Sequence, residues 1–264
     1  MDQEIEDFPI TALREITILQ GLRHDSIVQL IEMCRSQVEN SSRSKFYFIF
    51  EFCDHDLAGI LRNVQVKFSL GHIKSIMQQL LNALYFIYTN YIIHRDIKPV
   101  NLLITGNGIL KLANFGLSKM ITPPKPDKKK RHTYRMITMW YRPPELLLGE
   151  RDYGSAVDMW GVGCIFAGMW TRCPIMQGET EQHQLQLIAS LYRSIELSVW
   201  PRVHLLPLYN KMKLLEGERR KVYDRMKPYI QEPLALNLID RLRTLDPKQR
   251  IDAANALDSD FFLF

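Results

Sequence analysis

The sequence lacks the features that mark secreted, membrane-spanning or zinc-binding chains. Only four of its 264 residues are cysteine, and no two of them form a C-x-x-C pair. This spacing argues against a disulfide framework or a zinc site and fits a reducing compartment. No apolar run approaches the roughly 18 residues that a membrane helix needs. The first ten residues, MDQEIEDFPI, are acidic and lack the basic-then-apolar order of a secretion signal. We therefore expect a globular protein with no membrane partner.

Outside one basic segment, the positive and negative charges of the chain nearly balance. Residues 118–135 carry seven Lys or Arg and one Asp, and they account for the formal net charge of +5 of the whole chain. A basic face for a nucleic-acid duplex is not indicated, so we expect no direct nucleic-acid contact. Three interpretations of the run Lys128–Arg131 stay open, namely a solvated loop, a nuclear-import signal and a nucleic-acid contact.

Hydrophobic periodicity predicts a first part with one helix and two strands. Residues 9–22 carry an apolar residue at every third position from Ile10, which predicts a helix with Pro9 in its first turn. The segments 27–34 and 45–52 are rich in β-branched and aromatic residues, which predicts strands.

The rest of the chain is predicted to be mainly helical. Residues 70–91 have the apolar stripe of a long amphipathic helix. Short apolar runs on either side of residues 106–108, Gly-Asn-Gly, predict a hairpin. Helical patterns follow residue 155, with Pro233 and Asp252 at expected helix starts. Few strands followed by many helices indicate an α+β fold, with a small strand-bearing part on a larger helical part.

The segment from His94 to Asn101, HRDIKPVN, has the full spacing of the kinase catalytic loop H-R-D-x-x-x-x-N. In that pattern Asp96 orients the hydroxyl to be phosphorylated and accepts its proton. Lys98 contacts the transferring phosphoryl group, and Asn101 reaches a magnesium ion. A polar turn without chemistry is the alternative interpretation.

Further kinase motifs follow in order. The sequence Asn114-Phe115-Gly116 occupies the place of D-F-G, and residues 138–145, TMWYRPPE, occupy the place of the A-P-E segment. Residues 158–163, DMWGVG, and Arg250 complete the series. On these motifs the chain resembles protein kinases, which implies the kinase fold, with ATP and magnesium as cofactors.

The segment Pro9–Glu15, PITALRE, narrows the resemblance. It occupies the place of the cyclin-contacting helix of cyclin-dependent kinases, and the chain is most similar to the members that act in transcription elongation. The resemblance implies a nuclear kinase bound to a T-type cyclin through this helix. It also implies phosphorylation of Ser or Thr followed by Pro in the RNA polymerase II C-terminal repeat and in elongation factors.

The same resemblance implies roles for individual residues. Those expected to bind ATP are Glu15, Phe50 as gatekeeper, the hinge residues Glu51, Phe52 and Cys53, Asp56 at the ribose, Leu103 under the adenine, Ala113 and Asn114. Thr133 is the expected activating phosphosite, with Arg14, Arg95 and Lys119 as its phosphate cradle. Thr138 joins the catalytic set, and the pocket for the proline of the substrate is formed by Met136, Ile137 and Arg142.

Two departures from the family pattern concern the nucleotide. No Gly and no Lys precede Glu15, whereas the family places a glycine-rich phosphate loop and a paired Lys before this helix. We therefore expect a truncated small lobe in residues 1–53 and an intact large lobe in residues 54–264. Asn114 replaces a carboxylate, so Asn101 and Asn114 would form a weakened magnesium site.

Three hypotheses stay open on these grounds. The chain is an active kinase, a pseudokinase scaffold that binds a cyclin or substrates without phosphoryl transfer, or a non-functional gene remnant.

Overall fold

The computed structural model describes residues 10–37, 44–121 and 139–263. The first elements are helix α1 (Ile10–Gly21) and strands β1 (Leu30–Gln37) and β2 (Ser44–Phe50). The strands are antiparallel, with Leu30 opposite Phe50, and in the described residues they form a sheet of two strands. Ile16 and Leu19 of α1 are buried, but Leu13 of the predicted apolar stripe is 46% exposed, because no described element covers that side of the helix.

The middle of the chain holds strand β3 (His55–Asp56) and helices α2 (Leu57–Arg62) and α3 (Leu70–Thr89). Helix α3 begins in a capping box, because the side chain of Ser69 accepts from the His72 N–H and the His72 ring accepts from the Ser69 N–H. The apolar stripe predicts a helix that extends to Tyr91, and this predicted end is wrong. The helix stops at Thr89, and Tyr91 has a φ of 59° and is exposed.

Four short strands follow α3, namely β4 (Ile92–Ile93), β5 (Leu102–Ile104), β6 (Leu110–Leu112) and β7 (Lys119–Met120). The predicted hairpin around the Gly-Asn-Gly turn is confirmed, since β5 pairs antiparallel with β6 and Gly108 has a φ of +78° that suits glycine. Strand β3 pairs with β5, and β4 pairs with β7. These pairings hold residues 94–101 between β4 and β5.

The remainder of the described chain is helical. It contains α4 (Pro144–Leu147), α5 (Ala156–Thr171), α6 (Glu181–Tyr192), α7 (Val222–Met226), α8 (Pro233–Leu242), α9 (Ala253–Leu257) and α10 (Asp260–Leu263). The predicted helix starts are confirmed, because Pro233 is the first residue of α8 and the Asp252 side chain caps α9. Helix α5 is buried from Val157 to Met169, so the rest of the fold covers it on all sides.

The architecture confirms the α+β prediction. One hydrophobic cluster runs from α1 through α3 and α5 to Phe261 and joins the two parts of the fold. Among the described residues, no helix is both long and apolar enough to span a bilayer. The division at residues 53 and 54 stays a prediction.

Candidate active site

Asp96 is the centre of the site, and it is 2% exposed. One carboxylate oxygen, Oδ2, is held by Lys98 Nζ at 2.8 Å and by Asn101 Nδ2 at 2.8 Å. The same Asn101 amide also donates to the Asp96 carbonyl oxygen at 2.7 Å. The other oxygen, Oδ1, is buried and accepts no hydrogen bond from the residues that the structure describes. A buried acceptor without a partner is costly, so a hydroxyl donor that reaches Oδ1 would be stabilised there.

His94 supports the catalytic loop as a buried, neutral imidazole. Its Nδ1 accepts from the Asp96 N–H at 3.2 Å, and its Nε2 contacts the Ala113 carbonyl oxygen at 3.0 Å. The ring packs edge-on against Phe115, with 4.9 Å between centroids. Burial lowers the pKa of His94 to about 4, so the ring is uncharged near neutral pH. It therefore positions Asp96, as a packed structural histidine does.

A second set of contacts also supports the catalytic loop, and the sequence motifs assigned no role to the residues that form it. The Asp158 carboxylate in α5 accepts the backbone N–H groups of His94 at 2.8 Å and of Arg95 at 2.7 Å. Tyr88 of α3 donates its hydroxyl to the same carboxylate at 3.3 Å. Burial raises the pKa of Asp158 to about 7. Asp158 stands in the DMWGVG motif, but Tyr88 is 70 residues away and no local pattern indicates the contact.

Asn114 lies beside this loop in the left-handed conformation, with a φ of 67°, which Asn tolerates better than most residues. Its Nδ2 donates to Asn101 Oδ1 at 3.1 Å, so the two expected metal ligands are hydrogen-bonded to each other. Among the described residues, no cluster of three acidic, His or Cys side chains could hold a metal ion. Magnesium prefers charged oxygen ligands, and these two neutral amides do not fit it.

Helix α1 contacts the same segment from the other side. Glu15 Oε1 accepts the Phe115 N–H at 3.0 Å, and Arg14 Nη1 donates to the Gly116 carbonyl oxygen at 3.4 Å. Burial raises the pKa of Glu15. The resemblance implies a role for Glu15 in ATP binding, whereas within the described residues its carboxylate accepts a backbone N–H. Sequence reasoning missed this contact because its partners are 100 residues apart.

The expected phosphate cradle is partly described. Arg95 Nε donates to the Leu117 carbonyl oxygen at 2.5 Å, and Lys119 begins β7 two residues later. Arg14 Nη1 donates to the neighbouring Gly116 carbonyl oxygen, so two of the three expected cations contact residues 116–117. Thr133, which they are expected to bind when phosphorylated, lies outside the described residues.

The expected nucleotide-binding residues come from β2, the hinge and the β5–β6 hairpin. The Glu51 carboxylate pairs with Lys111 Nζ at 2.9 Å and accepts the Gln29 N–H at 2.8 Å. The Asp56 side chain caps α2 by accepting the Gly59 N–H at 2.9 Å. The other members differ in burial, since Phe52 is 83% exposed, whereas Phe50, Cys53, Leu103 and Ala113 are half-buried. Their nucleotide roles stay predictions.

Arg142 is buried, and its guanidinium pairs with the Glu181 carboxylate at 2.5 Å. The remaining members of the expected substrate set, Met136, Ile137 and Thr138, lie outside the described residues, as does the run Lys128–Arg131. Glu145 and Arg250 form a fully buried bidentate pair at 2.7 and 2.9 Å, which holds α4 to the segment between α8 and α9.

The fold and the catalytic loop define a protein kinase. The family model for the protein kinase domain matches residues 1–262, and the chain belongs to this family. It is 57% identical to human (Homo sapiens) cyclin-dependent kinase 9 over 264 residues, which covers 99% of this chain and 71% of that protein. Zebrafish (Danio rerio) cyclin-dependent kinase 9 is also 57% identical, over 267 residues, with the same shares covered.

A solved structure gives the same assignment. A chain in the crystal structure of the yeast RNA Pol II CTD kinase CTDK-1 complex superposes with a TM-score of 0.88 at 34% identity. The match covers 99% of this chain and 83% of that chain. These similarities place the chain among the cyclin-dependent serine/threonine kinases of transcription, a class that generally uses ATP and magnesium.

Proposed function

We propose that the chain is a proline-directed Ser/Thr kinase that transfers the γ-phosphate of ATP to the RNA polymerase II C-terminal repeat in the nucleus. The observation that carries the proposal is the state of Asp96. One oxygen is fixed by Lys98 and Asn101, and the other is buried without a partner among the described residues. The similarity to a CTD kinase supports the choice of substrate.

The geometry suits transfer to a hydroxyl. Asp96 Oδ1 accepts a hydrogen bond from the Ser or Thr hydroxyl, which aims the oxygen at the γ-phosphorus. As the new O–P bond forms, the bond to the β-phosphate oxygen breaks and ADP leaves, while the hydroxyl proton passes to Asp96. Lys98, already 2.8 Å from Asp96 Oδ2, places a positive charge where the transferring group gains charge.

A T-type cyclin that contacts the segment Pro9–Glu15 is the proposed partner, and elongation factors are further proposed substrates. The similarity to cyclin-dependent kinase 9 supports the cyclin. Within α1, Leu13 is 46% exposed, so an apolar side chain is available to a partner. The opposite side of α1 reaches the active site through Glu15 and Phe115, and a protein bound to α1 would therefore be coupled to Asn114.

One observation favours a second candidate function, a pseudokinase scaffold. The two expected magnesium ligands, Asn101 and Asn114, are neutral amides that are hydrogen-bonded to each other. Electrostatic stabilisation of phosphoryl transfer depends on the charge of a bound metal ion, and its loss costs several powers of ten in rate. A scaffold would keep the cyclin-binding helix and the substrate groove without turnover.

A radiometric assay distinguishes the two functions. The purified chain is mixed with a T-type cyclin, a C-terminal-repeat peptide and γ-labelled ATP. Label incorporation that Asp96→Ala abolishes, and that Asp224→Ala on the exposed side of α7 leaves unchanged, supports the kinase and overturns the scaffold. No incorporation, together with retained cyclin binding, gives the opposite result. A chain that neither transfers phosphate nor binds cyclin supports the gene-remnant hypothesis.

A further inference from the structure

A cavity of about 330 Å³ lies between residues 64–68, which connect α2 to α3, and the end of α5. Its apolar wall includes Val66, Phe68 and Met169. The volume falls within the range of protein pockets that bind organic ligands, roughly 300–1,000 Å³. None of the residues to which the kinase motifs assign a role lines this cavity, so the catalytic chemistry does not account for it.

Two residues of the lining carry a buried donor that has no acceptor among the residues that the structure describes. These donors are the indole Nε1 of Trp170 and the guanidinium Nη1 of Arg172. The other terminal nitrogen of Arg172, Nη2, is occupied, because it donates to the carbonyl oxygens of Asn63 and Val66 and holds the α2–α3 connection to α5. A buried donor without an acceptor is costly, so a ligand oxygen that reaches either atom would be stabilised there.

The charge around the cavity has one sign. Lys67 and Arg172 line it, and among the described residues no Asp or Glu does. The two segments that form the cavity are also free of acidic residues, since no Asp or Glu occurs in residues 57–95 or in residues 159–178. Acidic residues make up 29 of the 264 in the whole chain, so two acid-free stretches that meet at one cavity give it a local excess of positive charge.

We propose that this cavity binds a small organic oxyanion, that is, a phosphate or carboxylate group attached to an aromatic or aliphatic body. Lys67, Arg172 and the Trp170 indole N–H hold the charged group, and the organic body packs on the apolar wall. The C-terminal end of α5 disfavours an anion, so both cations are needed. The site goes beyond the proposed kinase function and does not depend on it.

Nuclear magnetic resonance of the intact chain, labelled with ¹⁵N at tryptophan, tests the site without nucleotide. The four tryptophans give four indole N–H signals, and Trp170→Phe identifies the signal of Trp170. We expect phenyl phosphate to shift this signal with saturation, and benzyl alcohol, a similar ring without charge, to leave it unchanged. Trp160 is the internal control, because its Nε1 is also buried without an acceptor among the described residues but does not line the cavity.

Three variants test the cations. Lys67→Met removes an exposed charge and should raise the Kd for phenyl phosphate roughly threefold to fivefold. The matched control is Arg62→Met, which removes an exposed cation at the end of α2 that does not line the cavity and should leave the Kd unchanged. Arg172→Lys keeps the charge but loses the planar fork, so it should weaken binding at least about tenfold. Circular dichroism melting verifies that each variant is folded.

A tyrosine-phosphorylated peptide identifies the source of the oxyanion. Tighter binding of this peptide than of phenyl phosphate assigns a phosphorylated side chain as the ligand, whereas binding of phenyl phosphate alone assigns a free compound. An unshifted Trp170 signal, or equal shifts of the Trp170 and Trp160 signals, overturns the proposal. Equal shifts of Trp170 by phenyl phosphate and by benzyl alcohol also overturn it, as does an affinity that Lys67→Met and Arg62→Met change alike.

Discussion

At the scale of single residues, the amide of Asn114 decides the metal chemistry of the site. Asn114→Asp replaces a neutral donor that binds Asn101 with a carboxylate at the same place. We expect magnesium to bind at least about tenfold more tightly to this variant, because the ion prefers charged oxygens. A thermal-shift titration with magnesium chloride, with and without ATP, measures the change.

The control for Asn114→Asp is Asn107→Asp, which adds the same charge in the exposed turn between β5 and β6. An equal response of the two variants to magnesium would show that Asn114 does not face a metal position. A gain confined to Asn114→Asp would show that the amide alone weakens the site.

Arg243 is a buried cation without a carboxylate partner in the described part of the chain. It is fully buried, and its contacts are the Trp160 ring at 3.8 Å, Cys164 Sγ at 2.7 Å and Met176 Sδ at 3.4 Å. Burying a charge among rings and sulfur atoms costs free energy. Arg243→Met keeps an unbranched stem beside Gly163 and should raise the free energy of unfolding by about 2 kcal/mol.

Urea denaturation measures this gain. The matched control is Arg241→Met, two residues earlier in the last turn of α8, where the side chain is exposed and the expected change is within about 0.5 kcal/mol. A destabilised Arg243→Met would mean that the ring and sulfur contacts hold the cation more strongly than water does.

At the scale of elements, the catalytic loop depends on a neutral His94. The folded-state pKa of about 4 lies below the ordinary value of 6.5, so protonation of His94 favours the unfolded chain. A charged ring would place a proton on Nδ1, which now accepts the Asp96 N–H. The stability from His94 is present above pH 6.5 and is lost as the pH falls toward 4, by up to roughly 3 kcal/mol.

The stability difference between wild type and His94→Phe isolates this effect. Asp96 and Lys98 face the ring, and both the wild type and His94→Phe retain them. Both proteins also retain Asp158, whose raised pKa makes stability change with pH in the opposite direction. We expect the advantage of the wild type to shrink between pH 6.5 and 4. A constant difference over that range would contradict the assignment of a neutral ring.

The elements that sequence predicted well are those with local causes. The β5–β6 hairpin follows from its Gly-Asn-Gly turn, and α8 and α9 follow from Pro233 and the Asp252 cap. The end of α3 was misplaced because Tyr91 continues the apolar period, although its backbone leaves the helix at a positive φ. Periodicity reports which residues are apolar and not where hydrogen bonding stops.

At the scale of the whole molecule, sequence motifs located the catalytic residues but not what holds them together. The spacing of the motif H-R-D-x-x-x-x-N identified Asp96, Lys98 and Asn101 as catalytic candidates, because all three belong to one loop. The brace from Tyr88 through Asp158 and the link from Glu15 to Phe115 join segments that only the folded core brings together.

The two parts of the fold should also differ in local stability. The β1–β2 sheet has two strands in the described chain, and it exposes the apolar side chains of Ile31, Met33, Phe46, Tyr47 and Ile49 by 41–61%. A sheet of two strands is marginal in water, whereas α3 and α5 are buried in the main core. We expect β1 and β2 amides to exchange through local opening, and α3 and α5 amides only through global unfolding.

Hydrogen–deuterium exchange measured by mass spectrometry tests this ranking on the intact chain. The β5–β6 hairpin is an internal control, because its strands are shorter than β1 and β2, yet Leu102, Ile104, Leu110 and Leu112 are buried. If burial decides stability, β5 and β6 will exchange more slowly than β1 and β2 despite their length. Equal protection of both hairpins and of α5 would show that the fold opens as one cooperative unit. In that case the exposed apolar sheet would gain its stability from α1 and the hydrophobic cluster that joins the two parts.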